Sequence, residues 1–89
     1  MSSKVYLALQ DNDTSRYIIE AIEQDNPEAN IQYLPAMIRV ESTSILVIRA
    51  ETVSEKLGQD WDIQELQLNM ITLGGNVEED DDSFTLKWN

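Results

Sequence analysis

The chain contains no cysteine and no histidine. Without cysteine it can form no disulfide, offer no thiolate nucleophile and hold no metal through sulfur. Without histidine it lacks the usual general base near neutral pH and the usual imidazole ligand for transition metals. Basic residues are scarce: 6 Lys and Arg stand against 17 Asp and Glu, a formal net charge of −11. Such a surface repels phosphate backbones and anionic membranes, which argues against nucleic acid and membrane partners and favours steering toward a basic protein surface. No apolar run approaches the ~18 residues of a membrane helix. The N-terminal stretch MSSKVYLALQDND lacks the basic and apolar regions of a signal peptide, so a cytoplasmic protein is expected.

At 89 residues the chain suits one domain, taken as 1–89, with a modest core. KVYLAL alternates Val5, Leu7 and Leu9 against Tyr6 and Ala8 and predicts a strand. Asp13 is expected to N-cap a helix reaching about Asp25, with Ile18, Ile19, Ala21 and Ile22 inward and Pro27 beyond its end. IQYL, ended by Pro35, and MIRV predict two strands. ILVIR does not alternate over Ile45–Ile48, which predicts a central strand covered on both faces. In ETVSEKLG, Thr52 and Glu55 have the spacing of a capping box, and Gly58 suits a left-handed C-cap. Asp62 and Glu65 repeat that box in WDIQELQ, flanked by the staple pair Trp61 and Leu66. That helix should give way to a strand near Met70, and SFTLKW predicts a last strand with Phe84, Leu86 and Trp88 on its buried side. The order βαββ-βααββ, with half-units about 4–42 and 45–88, describes an α/β (α+β) sandwich: a mixed sheet and three short helices.

Two stretches could carry function. Glu78–Asp82 is a run of five carboxylates, but calcium-loop frames started at Asp80 or Asp11 fail, with Phe84 at a ligand position and Arg16 where glycine belongs. Adjacent acids on a strand also point to opposite faces. The run reads as a solvated hairpin tip with a possible docking role. No phosphate loop is present, and no carboxylate pair has an evident cleft in which to raise a pKa. The second stretch is Asn69, Met70, Ile71, Thr72, Leu73, Gly74, Gly75 and Asn76. It is either a buried strand turning through a Gly-Gly-Asn hairpin or a protruding edge that another backbone can approach closely.

SRYIIEAIEQDNP and ETVSEKLGQDWDIQELQLNMITLGGNVEEDDDSFTLKW closely resemble the regulatory (effector or coupling) proteins of soluble multicomponent di-iron monooxygenases, phenol hydroxylases above all. The resemblance runs from Val5 to Trp88. It implies a small α/β fold of two half-domains, no catalytic residues, no metal and no cofactor. The implied partner is the large subunit of the di-iron hydroxylase, with a functional link to the reductase. It further implies that residues 69–76 press onto hydroxylase helices, with Met70, Ile71 and Leu73 as apolar anchors, Asn69, Thr72 and Asn76 as hydrogen-bonding groups, and Gly74 and Gly75 permitting close approach. A general acidic binding module or inhibitor shares the composition, but would not need the 69–76 segment.

Overall fold

The computed structural model describes residues 4–88. The elements run β1 (Val5–Gln10), α1 (Asp13–Asp25), β2 (Asn30–Leu34), β3 (Met37–Ser42), β4 (Ile45–Arg49), α2 (Ala50–Leu57), a 3₁₀ helix (Ile63–Leu68), β5 (Met70–Gly74), β6 (Asn76–Glu79) and β7 (Ser83–Lys87). The α+β class stands, but the expected mixed sheet is two separate sheets, ordered β2-β3-β1-β5 and β4-β7-β6, and every strand pair is antiparallel. Short turns join β2 to β3 and β6 to β7, as antiparallel neighbours allow, while the other pairs bring together strands distant in the chain. β5 belongs to the second half of the sequence yet hydrogen-bonds to β1, so it ties the two halves together.

β1 is interior to its sheet, which explains why Val5, Leu7, Ala8 and Leu9 are all buried. The side chains of Val5, Leu7 and Leu9 join Ile18, Ile19 and Ile22 of α1, Ile38 and Val40 of β3, Leu46 and Ile48 of β4, Val53, Trp61, Ile63, Leu66, Phe84 and Leu86 in one core, while Ala8 is covered on the other face of the sheet. Each fully buried aliphatic side chain contributes roughly 1.5–3 kcal/mol. One continuous core therefore suits a chain too short to stabilise two.

Several local expectations give way to better-placed partners. The N-cap of α1 is Asn12, not Asp13: Asn12 is extended and its side-chain oxygen accepts from the Ser15 N–H. Asp13 falls in the first turn, where its charge complements the helix dipole. Thr52 does not cap α2. The helix starts earlier, after Arg49, and the Ala50 N–H is taken by the Asp82 carbonyl at 2.8 Å, leaving Thr52 buried inside the first turn. The Gly58 C-cap is left-handed as expected (φ 76°), and the Asp62–Glu65 capping box forms on a 3₁₀ helix. Trp88 lies beyond β7, 47% exposed, with its indole N–H on the Lys4 carbonyl.

β4 is an edge strand, not a central one: Leu46 and Ile48 point inward while Ile45 is 44% exposed. Central position in that sheet belongs to β7. The free edge of β4 is closed by one side chain. Asn26, at the C-cap of α1, donates from Nδ2 to the Val47 carbonyl (2.7 Å) and accepts the Val47 N–H at Oδ1 (3.0 Å). Its amide thus does what a neighbouring strand would do, and so blunts an edge open to pairing with other chains.

Candidate functional site

The stretch 69–76 is not a hairpin. β5 is one of the two edge strands of the four-stranded sheet, and the chain then crosses at Gly75 into β6 of the other sheet. Gly75 has φ 136°, a conformation that side chains resist, and a Cβ there would come 3.0 Å from Val5 Cγ1. A Cβ on Gly74 would overlap the Tyr6 ring. Both glycines are therefore required by this chain's own packing.

Inside β5 the register breaks. Ala8 pairs Thr72 and Leu9 pairs Met70, which leaves Ile71 as the extra residue of a bulge. Bulges re-aim side chains. Here Ile71 and Thr72 are both exposed, while Met70 and Leu73 pack against the core. Asn69 is held from two sides: its carbonyl accepts the Gln10 N–H (2.7 Å) and its side-chain oxygen accepts from Asn12 Nδ2 (2.8 Å). The residue that caps α1 thereby also fixes the start of β5. Of the eight residues expected to meet a partner, Ile71, Thr72 and Asn76 face solvent, and the others build and hold the strand. Among the described residues the most exposed large apolar one is Leu68, 74% exposed, immediately before this segment. Leu68 stands two residues past the buried Leu66, off the three-residue step from Ile63 to Leu66, and local spacing alone does not mark it as a contact residue. The available signal was wider: from Leu66 to Val77 no residue is charged.

The acidic run is partly a strand. Glu78 and Glu79 belong to β6, and Glu78 pairs with Lys87 of β7 at 3.0 Å. Asp80 closes the turn by accepting the N–H groups of Asp82 (2.8 Å) and Ser83 (2.7 Å). These backbone bonds, Asp82 first, hold its carboxyl below the ordinary value near 3.8. Beyond the turn, Asp11 is paired with Arg16, whose guanidinium is pushed further toward the charged form by that hydrogen bond. Among the described residues no His, Cys, Asp or Glu group could hold a metal ion, and no helix is long and apolar enough to cross a membrane.

The sequence pattern of the MmoB/DmpM family matches residues 3–87. The chain belongs to the MmoB/DmpM family. This member is 60% identical over 88 residues to the phenol 2-monooxygenase stimulatory component DmpM of Pseudomonas sp. (strain CF600), covering 99% of this chain and 98% of that protein. Its fold matches chains in two structures of a phenol hydroxylase–regulatory protein complex. One has a TM-score of 0.93 at 54% identity, covering 98% of this chain and 100% of that one. The other has a TM-score of 0.89 at 50% identity, covering 97% and 100%. The soluble methane monooxygenase regulatory protein B shares the fold at a TM-score of 0.78 and 19% identity, covering all of this chain and 67% of that one.

Proposed function

We propose that this chain is the stimulatory component of a phenol hydroxylase: a non-catalytic, cofactor-free cytoplasmic protein that binds the di-iron hydroxylase at its large subunit. The observation that carries this reading is the 60% identity, over nearly the full length of both chains, with a phenol 2-monooxygenase stimulatory component. The absence of histidine and cysteine fits a protein that acts by binding.

The contact segment is 69–76 with Leu68, and the exposed Leu68, just before β5, and Ile71, at its bulge, supply apolar anchors. The bulge, the two glycines and the Asn12–Asn69 bond hold that edge in one shape before the partner arrives, which lowers the ordering cost of binding. The two half-units work as one domain because β5 joins them. The mechanism is a population shift: the hydroxylase samples several arrangements around its active site, and this protein binds one of them better. Its influence is bounded by that difference in affinity, ~1–3 kcal/mol of coupling, or roughly 5–150-fold.

The test is steady-state phenol oxidation by a phenol hydroxylase and its reductase, titrated with this protein while product and hydrogen peroxide are both followed. Product formation should rise to a plateau, with less peroxide per product. A rate that is unchanged, or falls from the first addition, would refute stimulation.

A further inference from the structure

The net charge of −11 is not spread over the molecule. The strands of the four-stranded sheet read VYLALQ, NIQYL, MIRVES and MITLG, and of the chain's 17 carboxylate side chains only Glu41 lies on them. Their single base is Arg39, so this sheet carries no net charge, and the whole excess of negative charge lies elsewhere.

The register shows what the outer face of this sheet presents. Thr72, Ala8, Arg39 and Gln32 lie opposite one another in one row across all four strands, and Gly74, Tyr6, Glu41 and Asn30 form the next. The opposite face carries Val5, Leu7, Leu9, Ile38 and Val40 into the core. On the outer face the Arg39 guanidinium stacks 4.3 Å from the Tyr6 ring centroid, and the same ring covers Gly74. Arg39 makes one long contact, 3.9 Å to Glu41, and no shorter polar bond among the described residues. Its side chain is 37% exposed, so it has donors to offer. Tyrosine and arginine are the residue types that anchor protein interfaces, and stacking has already fixed their geometry here.

We propose that this neutral outer face, and not the β5 edge alone, is the surface that seats against the hydroxylase. This inference rests on the functional reading above. The matching patch on the hydroxylase is uncharged and largely apolar, with a carbonyl or carboxylate oxygen opposite Arg39. Three observations select that occupant. The face is continuous with the β5 segment through Thr72 and Gly74. The single carboxylate on this face, Glu41, is 17% exposed and lies 3.9 Å from Arg39, so covering the face desolvates one ion pair, whereas covering the acidic remainder would strand carboxylates. The sheet spans roughly 19 by 17 Å in projection, about 300 Å², from four strand spacings and five residues. That is less than half of the ~800 Å² per partner of a standard interface. The contact therefore continues onto the uncharged stretch from Leu66 to Val77, while the acidic remainder surrounds it and guides approach.

The test uses charge of both signs. Gln32 and Thr72 are exposed at opposite ends of one row, and Gln24 is exposed on α1. Gln32→Lys, Gln32→Glu, Thr72→Lys, Thr72→Glu, Gln24→Lys and Gln24→Glu are compared by titrating stimulated phenol oxidation, with melting curves to verify folding. Burial at a neutral interface makes either sign harmful. Both Gln32 variants and both Thr72 variants should weaken half-saturation by at least about tenfold, with little dependence on salt. The Gln24 pair should differ only slightly, in opposite directions, and converge as salt is raised. If the Thr72 pair weakens binding while the Gln32 pair stays within about twofold of wild type, or if the Gln32 effects depend on sign, the face proposal is overturned and the β5 contact stands. A wild-type protein that neither binds nor stimulates overturns the functional reading itself.

Discussion

Asn26→Ala should be among the most damaging single truncations of a polar side chain in this protein. The wild-type amide makes three contacts: Nδ2 to the Ile22 carbonyl (2.9 Å), Nδ2 to the Val47 carbonyl (2.7 Å) and Oδ1 from the Val47 N–H (3.0 Å). All are partly buried. At about 1 kcal/mol net for each, and with water able to replace part of the loss at a strand edge, truncation should cost about 2–3 kcal/mol. In a domain of this size that lowers the melting temperature by about 10–20 °C. Asn26→Asp sharpens the argument, because it keeps the acceptor for Val47 but turns the donor side into a carboxylate facing two carbonyls at a helix C-terminus. At neutral pH it should be at least as unstable as the alanine variant. The new carboxyl would have a raised pKa in the folded state, so its penalty should shrink as pH falls and the protonated form regains a donor. Urea and thermal unfolding followed by circular dichroism measure both. An alanine variant within about 0.5 kcal/mol of wild type, or an aspartate variant more stable than alanine at pH 7, would refute the edge-closing role.

Gly75→Ala should destabilise the fold by about 1–3 kcal/mol, because the residue needs φ 136° and its Cβ would press on Val5; urea unfolding measures the loss. Leu68→Asp should leave the melting temperature within a few degrees of wild type, since the side chain is 74% exposed, yet weaken half-saturation of hydroxylase stimulation about tenfold or more. Asp80→Ala should lower the melting temperature at pH 7. Because the folded-state pKa of Asp80 is depressed, its contribution is present above the ordinary value near 3.8 and is lost as pH falls through the depressed one, so the wild-type and variant melting curves should converge in strong acid.

What the sequence revealed divides along physical lines. Segments whose pattern is set by one buried face were legible: the Ile18–Ile22 stripe of α1, the alternation of β1 and β7, and the Gly58 and Asp62 signals around the second half's helices. Features decided by distant partners were not. Thr52 has a good capping sequence, but Asp82, 30 residues on, satisfies the helix start instead. Ile45–Ile48 reads as a doubly covered strand, but one side of its edge is closed by the Asn26 side chain, which no local pattern announces. β6 was hidden because Glu78 and Glu79 are poor strand formers on their own and are held by pairing with Thr85 and Phe84. At the candidate site the segment was visible as an uncharged run, but its bulge was not. The bulge decides that Ile71 and Thr72 face out while Met70 and Leu73 face in, and it arises from the register against β1.

The central claim is that this protein acts by seating β5 and its sheet on a phenol hydroxylase. Amide hydrogen exchange of this protein, alone and with the hydroxylase component, tests it most directly. The account predicts slowed exchange across Leu68–Gly74 and the adjoining strands of the four-stranded sheet, with α1 little changed. Exchange unaltered at β5, with protection confined to α1 or to the turn at residues 80–82, would contradict it.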